Sequence, residues 1–376
     1  MTREPAPPAR DAGTPPPRKI RVAVLMGGPS PERDVSLDSG TQVVRSLDPE
    51  RYEVLPVEIT REGQWVPRPD LRQLAAPEAA HDAPQAGTQV SASTPRRIDE
   101  VVGDGAADVV FIALHGPYGE DGTVQGLLEL LGVPYIGSGV LASALAMDKL
   151  RSRQILQQNG MPVPAYTVVD GGRWPGNRTE VAERVARDLG YPCVVKPNGV
   201  GSSIGVTIVG DAGGLPDAIG QALIYGDVVL VEEQLKGTEL TCAVLEDPET
   251  GVARALPLIE IVPKRAFFDY AAKYEPGNSE EICPARVPAP QARRAEQMAL
   301  RVHRVLGCEG FSRVDLFLVG GDVVVLEANT IPGMTAGSLI PLAARTAGIE
   351  FPELCRRVIG SAFRRERLRK RRAGGA

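Results

Sequence analysis

Two stretches of the chain carry side chains whose types and spacing suit phosphate and metal chemistry. The first is "VVKPNGVGSSIGV", in which Lys196 ends an apolar run and a loop with three glycines and two serines follows. The lysine precedes the glycines, so this is not the Gly-Lys-Ser/Thr phosphate loop, and a strand rather than a helix comes next. Backbone N–H groups and hydroxyls of such a loop can cover phosphates. The stretch therefore predicts a closing flap over residues 199–205, with a mobile hairpin tip as the alternative.

The second stretch is "FSRVDLFLVGGDVVVLEAN", which has the pattern of a β-hairpin. A three-residue turn at 320–322 would pair Asp315 with Glu327, and Arg313 with Asn329, on one side of the sheet. Two facing carboxylates repel unless a cation lies between them, and carboxylate and amide oxygens suit Mg²⁺. The hairpin therefore predicts a magnesium site. The alternative is a sheet with one solvated face, and a two-residue turn would break the pairing.

Four further positions give weaker signals. In "VEEQLKGTEL" the backbone after a strand could meet adenine, and Glu239 could meet a ribose. In "MGGPSPERDVS" a third glycine at the dinucleotide spacing is missing, which disfavours a dinucleotide. Glu32 there could receive a substrate ammonium, or could simply be an acid at a helix start. Gly333 permits an unusual backbone or a close ligand approach, and Ser338 near a helix start is explained about as well as a plain N-cap or turn residue.

The elements that must position these side chains fall into three successive units. Strand–helix alternation over 20–148 predicts a doubly wound α/β domain, whose active edge lies at the carboxyl ends of its strands. A helix is expected from Val140 to about Asn159. Residues 149–238 predict a small mixed sheet with two helices, and 239–376 a larger α+β unit with the hairpin. Residues 1–19 are predicted to be a disordered tail, and the polar stretch 61–106 an insertion.

Composition bounds the class of protein. A chain of 376 residues with a net charge of -5 predicts two or three soluble domains and disfavours a general nucleic-acid binder. Five widely spaced cysteines predict buried free thiols in a reducing cytoplasm, and three histidines exclude a histidine-rich metal site. No apolar run reaches the roughly 18 residues that span a bilayer, so no membrane partner is expected. The basic end "RRERLRKRR" predicts a solvated helix end, with an anionic partner as the alternative.

Taken together, these stretches resemble the ATP-grasp enzymes and, within them, the D-alanine–D-alanine ligases. The resemblance runs from Ile20 to about Leu354 and rests on several long motifs in one order. The motifs are "GGPSPERDVSLDSG", "FIALHGPYGEDGTVQGLLELLGVPYIGSGVLASALAMDKL", "VVKPNGVGSSIGV", "DYAAKYEPG", "SRVDLFLV" and "LEANTIPGMTAGSLIPLAA". It implies an α/β ATP-grasp fold of three domains, with ATP held between the last two. It also implies ATP-dependent joining of two D-alanine molecules through a D-alanyl phosphate, in a cytoplasmic homodimer.

The resemblance also implies roles for individual residues. The residues implied to bind ATP are Lys149, Lys196, Ser202, Ser203, Glu232, Glu233, Leu235, Glu239 and Lys273. Those implied to bind D-alanine are Glu32, His115, Arg313, Gly333 and Ser338. Two Mg²⁺ ions, for which Mn²⁺ is an alternative, are implied at Asp315, Glu327 and Asn329. The implied catalytic set is Glu32, Ser202, Tyr274, Arg313 and Gly333, in which Tyr274, Ser202 and Glu32 form a bridge that shuts the site.

The chain departs from the family pattern at two positions, and three other functions stay open. Val200 stands where a glutamate is familiar and Phe268 where a tyrosine is common, so one polar contact at each place is in doubt. The alternatives are another ATP-grasp carboxylate–amine ligase, a D-alanine–D-lactate ligase, and a nucleotide-binding regulator without catalysis. The regulator is disfavoured because it would not need Arg313, Asp315, Glu327 and Lys273 together. Tyr274 favours an amine over a hydroxy acid as the second substrate.

Overall fold

The computed structural model describes residues 18–72, 95–103, 105–263 and 279–373. The strands are β1 (Ile20–Gly27), β2 (Tyr52–Ile59), β3 (Trp65–Pro67), β4 (Val109–Ile112), β5 (Tyr166–Asp170), β6 (Cys193–Pro197), β7 (Thr207–Val209), β8 (Val228–Glu233), β9 (Thr238–Glu246), β10 (Ala253–Ala255), β11 (Ile259–Pro263), β12 (Ser279–Ile282), β13 (Phe311–Val319) and β14 (Asp322–Asn329). The helices are α1 (Arg33–Ser46), α2 (Pro69–Arg72), α3 (Ile98–Val102), α4 (Thr123–Leu130), α5 (Val140–Met147), α6 (Lys149–Gln158), α7 (Trp174–Asp188), α8 (Leu215–Ala222), α9 (Ala289–Val305), α10 (Leu339–Thr346) and α11 (Phe351–Ala373), with a 3-10 helix at Leu223–Tyr225.

The first sheet has the strand order β3-β2-β1-β4, and β1 pairs in parallel with both β2 and β4. The strand β1 is buried over most of its length because its sequence, "IRVAVLMG", is almost continuously apolar, as expected for a parallel strand covered on both faces. Gly27 and Gly28 then turn the chain with φ of 88° and 94°, and a Cβ on Gly27 would come within 2.6 Å of the Ile59 carbonyl oxygen. This turn places Glu32 and α1 at the carboxyl edge of the sheet.

The stretch 61–106 is only partly an insertion. Its first residues form β3, which pairs antiparallel with β2 at the sheet edge, and Val101 and Val102 of α3 are buried in the core. Both ends therefore belong to the first domain, because their apolar side chains complete its packing. The part of this stretch at 73–94, and residue 104, lie outside the described residues. Of the predicted tail 1–19, the described part begins at Arg18, which forms an ion pair with Asp108 at 2.5 Å.

The helix predicted from Val140 to about Asn159 is wrong as a single helix. The chain leaves helical geometry at Asp148, whose φ and ψ are -80° and 97°, and this splits the stretch into α5 and α6. The Asp148 side chain accepts a hydrogen bond of 2.8 Å from the Arg151 N–H and so caps α6. As a result Lys149 stands at the first turn of α6, against the loop that follows β6.

The second sheet, β5-β8-β6-β7, is antiparallel and is covered by α7 and α8. Its strands β6 and β7 carry the flap between them, and the ends of β6 and β8 bring Lys196 and Glu232 side by side. The third sheet has the order β12-β11-β9-β13-β14, with β10 paired to β9, and packs on α9. The predicted domain boundary after 148 falls between the first and second sheets, and the one after 238 falls one residue inside β9; both stay predictions.

The β13–β14 hairpin pairs as predicted but turns differently. The turn has two residues, Gly320 and Gly321, both with positive φ as in a type I′ turn, so the predicted three-residue turn is wrong. A bulge at Leu326 then shifts the register, because Leu316 pairs with Val325 whereas Asp315 pairs with Glu327. A shift of one residue moves side chains to the other face of a sheet. The bulge therefore restores the pairing of Asp315 with Glu327 and of Arg313 with Asn329 that a plain two-residue turn would lose.

The C-terminal helix α11 is more than the solvated end predicted from its basic sequence. Arg365 donates hydrogen bonds to the carbonyl oxygens of Gly137, at 2.5 Å, and Tyr135, at 2.7 Å, and its guanidinium lies 4.0 Å from the Tyr135 ring centre. Arg369 forms an ion pair of 2.7 Å with Glu129. The helix therefore packs its arginines against the first domain, and α11, α1 and β4 share one hydrophobic core.

The five cysteines carry free thiols. Cys193, Cys242, Cys308 and Cys355 are buried, as predicted, whereas Cys283 is half-buried. Burial raises the pKa of the Cys193 thiol. These thiols therefore serve the packing of the three cores.

Candidate active site

Two cavities meet at the centre of the molecule. One has a volume of about 380 Å³ and lies between the first domain and the third sheet. The other has a volume of about 360 Å³ and lies between the second and third sheets. They share five lining residues, which are Gly201, Ser202, Glu239, Asp315 and Glu327. The flap and the β13–β14 hairpin thus form the boundary across which the contents of the two cavities would touch.

The cavity between the second and third sheets collects the residues implied to bind ATP. It is lined by Lys149, Lys196, Ser202, Ser203, Glu232, Glu233, Leu235 and Glu239. Lys273, the other member of that set, lies outside the described residues. Apolar walls come from Phe317 and from Leu326, the bulge residue, and neither was predicted. Their only sequence signal is an apolar position in a strand, which is shared by every core residue of the hairpin.

Glu232 is the electrostatic centre of that cavity. Its carboxylate lies 2.7 Å from the Lys196 ammonium and 2.6 Å from the guanidinium of Arg153, and the residue is 2% exposed. Burial alone would raise the pKa of Glu232, but Lys196 and Arg153 outweigh that cost and lower it. Glu232 is therefore held as a carboxylate against the cavity wall.

The flap is drawn over the boundary between the cavities. Lys149 donates a hydrogen bond of 2.7 Å to the Val200 carbonyl oxygen, and the Leu150 N–H donates to the Asn198 side chain at 2.8 Å. Ser202 and Ser203 have φ of 50° and 57°, which is uncommon for residues with a side chain. The Ser202 hydroxyl donates a hydrogen bond to the Glu32 carboxylate at the start of α1. This conformation turns the flap's hydroxyls and backbone inward.

The other cavity collects the residues implied to bind D-alanine. Glu32, His115, Arg313, Gly333 and Ser338 all line it. The Ser338 hydroxyl accepts a hydrogen bond of 3.0 Å from the Thr335 N–H and makes no capping bond to α10, although it occupies the N-cap position. Ser338 thus occupies the N-cap position, but its hydroxyl closes the preceding turn at Thr335 instead of capping α10, which agrees with the turn alternative. A Cβ on Gly333 would lie 2.8 Å from the Ser338 oxygen, so glycine lets the backbone approach there.

His115 is held as a neutral ring by its contacts. Its Nδ1 lies 3.1 Å from the Ile331 carbonyl oxygen, which can only accept, so Nδ1 carries the proton. Its Nε2 then accepts from the Ser39 hydroxyl at 3.0 Å, and Ser39 in turn accepts from the Met334 N–H at 3.2 Å. Burial lowers the pKa of His115 to about 4. His115 therefore ties the first sheet to the segment after β14 without adding a charge.

Glu120 is a site residue that sequence reasoning missed. It lines the same cavity as Glu32, and its carboxylate accepts a hydrogen bond of 2.9 Å from the Gly116 N–H. Burial raises the pKa of the Glu120 carboxyl, and the charge of Glu32 raises it further. Its position in the 115–122 strand-end loop was the available signal. Nothing in that loop's pattern separates it from a surface acid.

The end of the hairpin carries the predicted metal ligands. Asp315 accepts two hydrogen bonds of 2.9 Å from Arg313, one of 2.6 Å from the Thr241 hydroxyl, and one of 3.3 Å from the Asn329 amide. Glu327 lies 3.6 Å from the Lys149 ammonium. Within the described ranges no group of three or more His, Cys, Asp or Glu is arranged to hold a metal ion.

Two carboxylates and one amide oxygen are nevertheless a chemically suitable set for Mg²⁺. This ion prefers oxygen, keeps several waters, and is completed by substrate phosphates rather than by a full protein cage. The set faces both cavities, where such phosphates would lie. The residues present therefore fit a divalent metal ion that enters together with a nucleotide.

The resemblance implies a bridge of two hydrogen bonds, from Tyr274 to Ser202 and from Ser202 to Glu32. Only the second lies within the described residues. The hydrogen bond from Ser202 to Glu32 is present. Tyr274, like Phe268 and Lys273, lies outside the described residues, so its link to Ser202 stays a prediction.

Three sheets, a cavity between the second and third of them that Lys149 and Lys196 line, and a glycine- and serine-containing flap at its edge define an ATP-grasp protein. The chain matches the family described as "D-ala D-ala ligase N-terminus" over residues 21–138 and "D-ala D-ala ligase C-terminus" over residues 155–360. It therefore belongs to the D-alanine–D-alanine ligase family.

Individual relatives agree over most of the chain. It is 44% identical to the D-alanine--D-alanine ligase of Desulforudis audaxviator over 92% of this chain and 99% of that protein. It is 45% identical to the D-alanine--D-alanine ligase of Syntrophobacter fumaroxidans over 92% of this chain and 98% of that protein. Among solved structures, the D-alanine-D-alanine ligase from Coxiella burnetii superposes with a TM-score of 0.76 at 27% identity, covering 94% and 96% of the two chains. The VanG D-Ala:D-Ser ligase from Enterococcus faecalis superposes with a TM-score of 0.75 at 32% identity, covering 92% and 100%.

Proposed function

We propose that this protein joins two D-alanine molecules into D-alanyl-D-alanine, with conversion of ATP to ADP and phosphate, as a step in making peptidoglycan precursors. The observation that carries the proposal is the meeting of two cavities at Asp315 and Glu327. One cavity is built for a nucleotide and the other for a small zwitterion. Their shared wall is where a phosphoryl group would pass from one to the other.

In the nucleotide cavity, Glu232, Glu233 and Leu235 frame adenine, and Glu239 meets the ribose. Lys149 and Lys196 lie on opposite sides of the flap and pair with phosphate oxygens. Mg²⁺, two ions of it in our proposal, would be held by Asp315, Glu327 and Asn329 and would supply positive charge beside the transferred phosphoryl group. Ser202 and Ser203 cover the phosphates and keep water from the reactive acyl phosphate.

In the substrate cavity, Glu32 receives the ammonium of the first D-alanine. The carboxylate of this D-alanine then faces the nucleotide. Attack of that carboxylate on the γ-phosphorus gives D-alanyl phosphate and ADP. The neutral amine of the second D-alanine then attacks the carbonyl, and phosphate leaves. Arg313 and the Gly333 N–H stabilise the tetrahedral oxyanion, and Ser338 binds the second carboxylate. Arg313 lies against Asp315 in this structure, so it must turn part of its guanidinium toward the substrate.

We further propose a homodimer located in the cytoplasm. Leu130 and Leu141 are 89% and 73% exposed and are the two most exposed large hydrophobic side chains of the described residues. They lie on α4 and α5, helices that contact each other, and exposed apolar side chains of this size are of the kind that a second copy covers. No helix in the described ranges is long and apolar enough to cross a membrane. Sedimentation of the native chain and of the Leu130→Lys, Leu141→Lys double variant tests this surface, since a dimer should become a monomer.

Product analysis with competing acceptors tests the proposed reaction. D-Alanine, D-serine and D-lactate are offered together with ATP, Mg²⁺ and the first D-alanine, and products are identified by mass. D-Serine is included because one similar structure is a D-Ala:D-Ser ligase. We expect mainly D-alanyl-D-alanine. Phosphate release that does not depend on D-alanine would contradict the proposal and would favour a different ATP-grasp ligase.

A further inference from the structure

A buried arginine behind the nucleotide cavity takes no part in the roles assigned above. Arg153, on α6, is 1% exposed and is the largest fully buried side chain of the described residues. Arginine is almost never fully buried unless its charge is paired. None of its three guanidinium nitrogens makes a hydrogen bond of good geometry within the described ranges, so its burial is stabilised by an ion pair and a ring contact.

The contacts of Arg153 all lead to one residue. Its Nη1 lies 2.6 Å from Oε1 of Glu232. Its guanidinium stands 5.7 Å from the ring centre of Tyr166, which is the residue directly opposite Glu232 in the pairing of β5 with β8. On the other side, the Lys196 ammonium lies 2.7 Å from Oε2 of the same carboxylate. The two cations thus hold the two oxygens of Glu232 from two sides and fix the plane of the carboxylate.

The three charges differ in their access to the cavity. Lys196 and Glu232 line it, whereas Arg153 does not. Arg153 therefore acts on a nucleotide from behind the cavity wall, through its ion pair with Glu232 and, by charge repulsion, through Lys196; only the effect through Glu232 would distinguish one base from another. A carboxylate accepts hydrogen bonds and cannot donate them, and each of its oxygens offers two lone-pair positions. After both cations are bound, a lone pair remains for a donor in the cavity.

We propose that Arg153 is a positioning residue for nucleotide specificity, which orients Glu232 as an acceptor for the exocyclic amino group of adenine. This deepens the proposed function and rests on it. A base with an oxo group at that position, such as hypoxanthine or guanine, presents an acceptor to the carboxylate, and two acceptors repel. A site built to bond a donor rejects the analogue that lacks it. The ion pair with Arg153 keeps the carboxylate in the plane and charge state that this choice requires.

The test compares ADP with IDP, which differ in the amino or oxo group, by calorimetry without D-alanine. Arg153→Met is compared with Arg151→Met, a matched control that removes an exposed arginine from the same helix. We expect the native protein and Arg151→Met to prefer ADP. Arg153→Met should bind ADP about tenfold more weakly, because a hydrogen bond to a charged group is usually worth about that much. Its affinity for IDP should change little. Arg153→Lys, which keeps the charge, should recover part of the preference.

A second comparison separates orientation of Glu232 from a purely structural role. If Arg153 acts through Glu232, the Arg153→Met, Glu232→Gln double variant should show the same ADP-to-IDP ratio as Glu232→Gln alone. An unchanged ratio in Arg153→Met, or a native protein that does not prefer ADP, overturns the proposal. If Arg153→Met does not fold, the ratio in Arg153→Lys and in the double variant decides. If the native protein makes D-alanyl-D-alanine and the ADP-to-IDP ratio is the same in all variants, the proposed function stands and the role of Arg153 is wrong.

Discussion

The Ser202 hydroxyl donates a hydrogen bond to the carboxylate of Glu32, a residue 170 positions earlier in the chain. Ser202 lies in the flap between β6 and β7, and Glu32 lies at the start of α1. The bond therefore joins the second sheet to the first across the boundary of both cavities. Because few apolar groups anchor the flap, this contact should contribute much of its closure.

Ser202→Ala should open the flap. The hydrogen bond to a charged partner is worth about 1.5–3 kcal/mol, so we expect the amide protons of 199–205 to exchange roughly tenfold faster or more. We also expect more phosphate release without dipeptide, because water would reach the acyl phosphate. Hydrogen exchange by mass spectrometry and the ratio of phosphate to dipeptide measure these effects.

Ser203→Ala, which also changes a flap serine with positive φ, is the control for the exchange measurement without nucleotide, because Ser203 is itself proposed to cover the phosphates during turnover. Exchange rates that are equal in both variants and the native protein would show that the Ser202–Glu32 contact does not close the flap.

Asp315→Asn should weaken divalent-metal binding and slow turnover by about 100-fold or more, because one of the two carboxylates that share the ion is lost. Binding of Mn²⁺ in the presence of ADP, followed by electron paramagnetic resonance, gives a readout independent of turnover. Asp322→Asn, on an exposed residue at the tip of the same hairpin, is the control and should leave both measurements unchanged. Equal Mn²⁺ affinity in the two variants would remove Asp315 from the metal site.

Stability should fall in acid through His115. Burial lowers the pKa of His115 to about 4 from its ordinary 6.5, so the unfolded chain binds a proton that the folded protein does not. Stability from this group is complete above pH 6.5 and is lost as the pH falls toward 4, by roughly 3 kcal/mol in total. His115→Gln, which stays neutral, should flatten the dependence of the unfolding free energy on pH over this interval. Urea unfolding at several pH values measures it, and parallel curves for both proteins would contradict the prediction.

The preference for D-alanine over D-lactate should weaken as the pH falls. Protonation removes the amine nucleophile and leaves a hydroxyl unchanged, so the ester gains on the dipeptide in acid. Competition between the two acceptors at pH 7.5 and pH 6, with products separated by mass, measures the ratio. Mainly ester at pH 7.5 would overturn the assignment of Tyr274 as the residue that favours an amine.

The sequence led to most of the site because its residues lie in motifs where residue type and order carry the signal. Lys196 at a strand end, Asp315 opposite Glu327, and the serines of the flap are examples. Features that depend on three-dimensional packing could not be predicted from the sequence. In the sequence, the bulge residue Leu326 looks like one more apolar strand residue. The sequence from Val140 to Asn159 has a continuous helical pattern, although the helix breaks at Asp148 in the structure.

Glu120 and Arg153 show the same limit for charged residues. Each looks like a surface charge in the sequence, because the charged neighbours Glu32 and Glu232 are brought to Glu120 and Arg153 only by the fold. Their burial depends on packing between elements, which no local pattern encodes. A charged residue inside an otherwise plain helix or loop therefore carried no sign of its position.

The docking of α11 on the first sheet also bears on how the chain is made. Strands β1 and β4 leave the ribosome early, but Val358 and Ala362, which share their core, are made only after the second and third sheets. Domains generally fold in order of synthesis, the amino-terminal one first. Here that order cannot be completed, because part of the apolar surface of the first domain stays uncovered until the second and third sheets and α11 have been made. Protection of the β4 amides in the nascent chain should therefore arise only after α11 has emerged.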